Sequence, residues 1–125
     1  MKKEEKRKLK VSDIVKPLEA EVLCEGDLNN SEISGGYCSD LLSDCIANAS
    51  EGSVWVTIHS HPNIIAVAVL VGMPCIVISN FQEVDPQTIE KAKKEKVTLL
   101  RTSLTSYQAV EVLTKIGVHG TKKHA

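Results

Sequence analysis

The chain has 125 residues, of which 42% are hydrophobic and 25% are charged, and this fits one globular domain that can bury a core without a metal or a disulfide. Its formal net charge is -1, which argues against a nucleic-acid-binding protein because such proteins carry a basic excess. With one Trp, two Tyr and one Phe, it also lacks the aromatic surface that single-strand binders use for base stacking.

The N-terminal residues 1–10 are mostly charged, so they predict a disordered basic arm and contain no apolar segment of a secretory signal. The longest apolar stretch, Ile64–Ile78, is interrupted by Gly72 and Pro74. It is shorter than the roughly 20 residues of a membrane-spanning helix. A cytoplasmic protein without membrane association is therefore expected.

The first elements are short. Val11–Val15 predicts a helix that Pro17 ends, and the alternation over Glu19–Cys24 predicts a strand. A loop at residues 26–30 leads to a second short strand at Glu32–Ser34. These segments add one or two strands to the sheet that the rest of the chain predicts.

From residue 39 onwards, helices and strands alternate. Asp40–Ala49 predicts an amphipathic helix with Ser39 as its N-cap. Three strand–helix pairs follow: Val54–Ile58 with Ile64–Val71, Cys75–Ser79 with a helix that begins at Asp85-Pro86 and runs to Glu95, and Val97–Leu100 with Leu104–Ile116. The helix at Ile64–Val71 is apolar on all sides, so it is predicted to be buried.

This order predicts a single layered α/β domain with a mainly parallel sheet and helices on both faces. The domain is expected to span residues 11–117, followed by a flexible tail at residues 118–125. None of the four cysteines forms a C-x-x-C pair. Core packing is therefore favoured over iron–sulfur or zinc ligation for them.

Ligands of open parallel sheets bind outside the carboxyl ends of the strands. Three polar junctions fall there: residues 59–63, 79–81 and 101–103. His59 and His61 in the first junction stand two residues apart, ahead of the predicted helix Ile64–Val71. The two histidines fit structural capping best, ligand binding next, and metal binding or proton transfer least. The residues alone leave these alternatives open.

A pair of glycines, Gly35-Gly36, precedes the first amphipathic helix. It predicts either a tight turn or a small anion nest of backbone amides. Asp40 and Asp44 lie one turn apart and fit a solvated helix face better than a catalytic pair. The candidate ligand-binding residues are Gly35, Gly36, Ser39, Asp40, His59, His61 and Asn63.

Several catalytic motifs are missing from the sequence. It contains no phosphate-binding P-loop, no dinucleotide-binding G-x-G-x-x-G and no G-x-S-x-G nucleophile elbow. No catalytic residue, metal ligand or cofactor is therefore predicted. A nucleotide or another phosphorylated molecule remains open as a ligand.

The stretch from Glu32 to Ile78, which begins EISGGYCSDLLSDC and contains HSHPNIIAVAV, resembles the DRTGG domain family. The family's pentapeptide falls on residues 32–36, and the likeness extends over residues 11–117. The resemblance implies an α/β fold similar to the N-terminal domain of HPr kinase/phosphorylase. It also implies a regulatory, dimer-forming role of the kind that these domains have in phosphotransacetylases and CBS-domain pyrophosphatases.

The pentapeptide departs from the family pattern, because Glu32, Ile33 and Ser34 stand where Asp, Arg and Thr are usual. Ile33 removes the only cation of the motif. Residues 17–90 contain no Lys or Arg and eleven acidic residues, so a formal charge of -11 lies between ends of +4 and +6. A phosphate in this region would depend on backbone amides, hydroxyls and the two histidines.

The residues and the resemblance together favour a non-enzymatic regulatory or ligand-sensing module. The resemblance further implies that it forms a homodimer and is accessory to a metabolic or hydrogenase system. A protein-interaction adaptor without a small ligand is the main alternative, with a larger enzyme as its partner. A His-dependent enzyme and a DNA-binding regulator that uses the basic arm are weaker alternatives. The apolar helix at Ile64–Val71 is the candidate dimer surface if one of its sides is uncovered.

Overall fold

The computed structural model describes residues 8–123. Its helices are α1 (Ser12–Val15), α2 (Leu42–Asn48), α3 (Asn63–Val71), α4 (Pro86–Glu95) and α5 (Ser106–Lys115). Its strands are β1 (Glu21–Cys24), β2 (Gly35–Cys38), β3 (Ser53–Thr57), β4 (Cys75–Ile78) and β5 (Thr98–Arg101). The elements follow the predicted order, with small shifts at most ends and one clear difference at β2.

The strands form one five-stranded sheet in the order β1-β5-β4-β3-β2. Strands β2 to β5 are parallel, and β1 pairs antiparallel with β5. The predicted α/β fold with a mainly parallel sheet is therefore confirmed. All residues of the central strands β3 and β4 are buried, as expected when helices cover both faces of a parallel sheet.

The helices divide unequally between the two faces. The crossovers from β2 to β5 proceed in one direction across the sheet, so right-handed connections place α2, α3 and α4 together on one face. Their core includes Trp55, Ile64, Ile76 and Leu99. The other face packs against α1, α5 and the C-terminal segment through residues such as Ile14, Val56, Val77, Leu113 and Val118.

Helix α3 differs from its prediction, because it is buried on one side only. Ile64, Ile65 and Ala68 face the sheet and have no exposed surface, whereas Val69 and Leu70 are 47% and 69% exposed. The helix packs against α2 and α4 at its flanks and against the sheet below. In the part of the chain that the structure describes, its outer side remains uncovered although it is apolar.

The predicted short strand at Glu32–Ser34 and the glycine turn after it are both wrong. Gly35 and Gly36 lie inside β2 and pair in register with Ser53 and Val54, and neither has a positive φ. A Cβ atom on Gly35 would stand 2.8 Å from the carbonyl oxygen of His119 and would also meet the Thr121 side chain. The glycines are therefore explained by close packing and not by turn geometry.

Residues 118–123 pack against the sheet, so the packed chain extends past the predicted domain end at residue 117. Gly120 forms a parallel bridge with Gly36, Val118 is 3% exposed, and the Thr121 hydroxyl lies 3.0 Å from the Ser53 hydroxyl. Of the predicted N-terminal arm, residues 1–7 lie outside the described residues. Leu9 already contacts the domain, since its carbonyl accepts a hydrogen bond from the Ile33 amide.

Candidate functional site

The carboxyl ends of β2, β3, β4 and β5 lie along one edge of the sheet, as the parallel order requires. We call this the carboxyl edge, and it comprises the loops at residues 39–41, 58–62, 79–81 and 102–104. Four predicted site residues lie there, namely Ser39, Asp40, His59 and His61, and a fifth, Asn63, follows as the first residue of α3. Gly35 and Gly36 lie elsewhere, because β2 begins with them at the opposite edge.

Asp40 connects the first two loops of this edge. One oxygen of its carboxylate accepts hydrogen bonds from the Thr57 hydroxyl and from the Ile58 amide, each at 2.9 Å. The backbone carbonyl of Asp40 also forms a hydrogen bond with Nε2 of His59. These contacts tie the end of β2 to the end of β3, so Asp40 and His59 hold the edge together.

Ser39 was predicted to cap α2, but it lies before the helix begins. Its hydroxyl accepts a 3.2 Å hydrogen bond from the Leu41 amide. Its carbonyl accepts a 2.9 Å bond from the indole of the buried Trp55. Ser39 therefore anchors its loop to the core through its carbonyl.

His61 and Asn63 stand at the start of α3 and are both exposed. Nδ1 of His61 accepts a 3.1 Å hydrogen bond from the Asn63 amide. This contact satisfies one of the backbone donors that a helix start leaves unpaired. Nε2 of His61 makes no hydrogen bond with the described residues, so it remains available to a ligand.

The far half of the edge holds a contact that sequence reasoning missed. Arg101 stacks on the exposed ring of Phe81, with its guanidinium carbon 4.2 Å from the ring centre. The same guanidinium donates to Glu21 at 2.7 Å and to the Gln82 carbonyl at 3.2 Å. The charge of this cation is therefore offset by Glu21, whose position follows from the antiparallel direction of β1.

Below the edge, Tyr37 donates a 2.9 Å hydrogen bond to the carboxylate of Asp44, and the Asn48 amide donates to its other oxygen. Hydrogen bonds from Asn48, Ser39 and Tyr37 lower the pKa of Asp44. Burial, together with the Asp44 carboxylate, raises the pKa of Tyr37. The pair is thus held as carboxylate and neutral phenol.

This arrangement predicts a pH-dependent contribution to stability. A carboxyl whose pKa is lower in the folded state stabilises the fold above its unfolded pKa of about 3.9 and loses that contribution as the pH falls through the folded value. We expect the wild-type protein to be more stable than Asp44→Asn at pH 7, with the difference shrinking below pH ~4. Urea unfolding of both proteins from pH 7 to pH 3 measures it, and a constant difference would contradict the prediction.

The four cysteines divide into three buried thiols and one exposed thiol, Cys38 at the end of β2. Burial and the Asp40 carboxylate raise the pKa of Cys38, and burial raises the pKa of Cys45 to about 11. The thiolate is the reactive form. Core packing therefore holds for Cys24, Cys45 and Cys75, and Cys38 is the exception.

Thiol labelling tests this division. At pH 8 we expect one thiol of the folded protein to react with a disulfide reagent, more slowly than a free cysteine, and all four to react in urea. If the folded Cys38→Ser variant no longer reacts with the reagent, the reactive thiol is that of Cys38. Reaction of two or more thiols in the folded protein would show that the cores are open to reagent.

Among residues 8–123, no group of three or more His, Cys, Asp or Glu side chains is arranged to hold a metal ion. None of the helices in this part of the chain combines the length and the apolar character needed to cross a membrane.

The family model of the DRTGG domain matches residues 13–116. The chain belongs to the DRTGG domain family. A solved structure with a similar fold is the crystal structure of the CBS and DRTGG domains of the regulatory region of Clostridium perfringens pyrophosphatase, complexed with its activator diadenosine tetraphosphate. The TM-score is 0.72 at 16% sequence identity, over 93% of this chain and 52% of that chain. At this identity the likeness shows the fold, and this chain spans about half of that regulatory region. A search of curated proteins found none that matches.

The signature pentapeptide of this DRTGG domain lies away from the carboxyl edge. Ile33, which replaces the family's Arg, is 8% exposed and packs in the core beneath α5. The amide of Gly36 donates to the His119 carbonyl and its carbonyl accepts from the Thr121 amide, so the predicted amide nest is not formed. In this chain the two glycines of the pentapeptide form the start of β2, and Gly36 makes its contact with the C-terminal segment.

Proposed function

We propose that this DRTGG domain is a non-enzymatic regulatory module that forms a homodimer and binds a small polar ligand at the carboxyl edge. The observation that carries the proposal is the uncovered apolar side of α3. The family supports it, because the similar pyrophosphatase structure is described as a regulatory region bound to an activator. A cytoplasmic location fits this role.

The proposed dimer surface consists of four exposed apolar residues on the neighbouring helices α2 and α3, and we call it the α3 face. Its members are Ile46, Ala66, Val69 and Leu70. Helix α3 carries no charged side chain. In a two-fold dimer the same patch meets itself, so an uncharged patch avoids repulsion between like charges. Exposed Leu and Val side chains gain roughly 25 cal/mol per Å² when they are buried.

Helix α3 also connects this face to the carboxyl edge. Its first turn carries Asn63 and the His61 contact, and its last turn carries Val69 and Leu70. Nine helical residues span roughly 13 Å. A ligand that shifts the start of this rigid helix would therefore move the side chains of the dimer interface.

The ligand is proposed to contact His61 and Asn63, with Asp40, Ser39 and His59 holding the loops beneath it. A nucleotide or another phosphorylated molecule is the first class to test, since the pyrophosphatase region binds such an activator. Residues 17–90 supply no Lys or Arg. Phosphate groups would therefore depend on the Nε2–H of His61, because the Asn63 amide is already paired with Nδ1 of that ring and the next two amides are paired with backbone carbonyls.

The dimer is tested by light scattering after size exclusion, with Leu70→Asp as the variant. A buried charge on each subunit should raise the dissociation constant of the dimer by about 30-fold or more. Val22→Asp is the matched control, because Val22 is an exposed apolar residue on β1, away from the α3 face. A wild-type monomer, or a Leu70→Asp protein that stays dimeric, would refute the proposed interface.

Ligand binding is tested by thermal shift with AMP, ADP, ATP and diadenosine tetraphosphate. Binding to the folded state at about 100 times the dissociation constant adds about 2.7 kcal/mol of stability, and His61→Ala should reduce the shift. If the protein is dimeric but no nucleotide shifts it, the nucleotide assignment fails. The α3 face would then favour the second candidate, a protein-interaction adaptor of a larger enzyme.

A further inference from the structure

We propose that a cavity between α5 and β2 binds a small, uncharged, largely apolar molecule. The cavity has a volume of about 240 Å³. Its walls include Cys38 of β2, Val56 of β3, Leu113 of α5, and Val118 and Gly120 of the C-terminal segment. It lies on the opposite face of the sheet from the α3 face, and the proposal depends neither on the dimer nor on the polar ligand.

The cavity follows from the uneven cover of the sheet. Three helices pack on one face, whereas α5 alone spans β2 and β3 on the other. At Gly36 the space beside the strand is already filled, since a Cβ atom there would stand 3.3 Å from Val118 and 3.5 Å from Val54. The opening lies further out, where the C-terminal segment passes β2 with Gly120. A Cβ atom on Gly120 would have no neighbour within 4 Å. A gap between helix, strand and segment therefore stays open at residue 120.

The walls determine the chemistry of the occupant. They carry no charged side chain and consist largely of aliphatic groups, and the lining residues with polar side chains are Cys38, two threonines and Tyr37, whose hydroxyl is bonded to Asp44. The hydroxyls already have partners, because Thr114 donates to the Glu111 carbonyl and Thr121 pairs with Ser53. A charged ligand would lose its hydration here without gaining a counter-charge. An apolar ligand loses no polar contact.

The volume limits the size of the occupant. A cavity of about 150 Å³ holds benzene, and drug-sized ligands occupy pockets of about 300 Å³ or more. At about 240 Å³ the cavity fits one aromatic ring, a fused pair of rings or a short branched alkyl chain. A protein partner needs roughly 800 Å² of contact surface, which a cavity of this size does not offer. The class is therefore a small hydrophobic molecule.

Binding there would act on the C-terminal segment. Val118 and Gly120 line the cavity, and the same segment closes the edge of β2 through Gly36. An occupant of this cavity would thus hold the segment against the sheet. The effect would be separate from any ligand at His61, because the two sites lie on different elements.

Indole is the probe for this site, followed by amide NMR of the labelled full-length protein. We expect saturable shifts at Cys38, Leu113, Val118 and Gly120. Gly120→Leu should fill the opening and weaken indole binding by about tenfold or more, while Lys122→Leu, which adds the same side chain outside the cavity, should bind normally. Val110→Phe fills the cavity from α5 and replaces Gly120→Leu if that variant does not fold.

The reactivity of Cys38 gives a second readout. Saturating indole should slow labelling of this thiol in the wild-type protein and in Lys122→Leu, but not in Gly120→Leu. His61→Ala should bind indole like the wild type, which separates this site from the polar one. Scattered or unsaturable shifts, or equal binding by a folded cavity-filling variant, would overturn the proposal.

Discussion

Gly35→Ala is expected to lower the free energy of unfolding by about 1–3 kcal/mol, the usual cost of forcing an extra group into a packed region. The added methyl would meet the Thr121 side chain and stand 2.8 Å from the His119 carbonyl oxygen. The carbonyl is held in place by the Gly36 amide, so it cannot move without breaking that hydrogen bond. The measurement is the midpoint of urea unfolding, followed by circular dichroism.

Gly120→Ala is the matched control for this prediction. The same methyl group at Gly120 would have no neighbour within 4 Å, although the residue lies in the segment that Gly35 contacts. Its stability should stay within about 0.5 kcal/mol of the wild type or rise slightly, because alanine restricts the unfolded chain. Equal effects at both glycines would mean that packing against residues 119–121 does not explain Gly35.

The second large effect is expected at Trp55. This side chain has no exposed surface and donates a 2.9 Å hydrogen bond to the Ser39 carbonyl. Trp55→Ala should cost about 3–5 kcal/mol, as large-to-small core substitutions do. It also removes the contact that anchors the first loop of the carboxyl edge. Chemical unfolding measures the loss, and Trp55→Phe offers a milder change if the alanine variant does not fold.

Phe81→Ala serves as the control for Trp55. Phe81 is 58% exposed, and the Arg101 guanidinium stacks on its ring. Such a contact at an exposed site is worth about 0.5–1 kcal/mol, so the loss should be far smaller than at Trp55. A comparable loss at both aromatic residues would show that burial does not set the difference.

Local pattern predicted the central strands and the polar junctions well. The uninterrupted apolar run at Cys75–Ile78 indicates a strand that is buried on both faces, and Asp85-Pro86 marks the start of a helix. Alternation of strands and helices then places His59 and His61 at the carboxyl edge. The family resemblance, carried by a longer composite pattern, is confirmed by the DRTGG model.

The remaining features depend on partners that are distant in sequence. Gly35 and Gly36 fit a turn as well as a strand, and the reason for them lies in residues 118–121. The sequence predicts Asp40 as the first residue of a helix. Its contacts with Thr57 and Ile58 arise only when the fold brings β3 beside it. An apolar helix such as α3 gives the same pattern whether its outer side meets the core or a second subunit, so periodicity could not predict the exposure of Leu70.

The order in which the sheet is assembled matters for how the chain avoids aggregation. Strand β2 forms the rim of the sheet, and its outer groups at Gly36 pair with His119 and Thr121. These partners are synthesised long after β2, and closing so long a loop carries an entropic cost. Until they emerge from the ribosome, a growing chain presents an unpaired strand rim, which is a template for association with other chains. In the folded domain, residues 119–121 therefore protect this rim of the sheet from association with other chains.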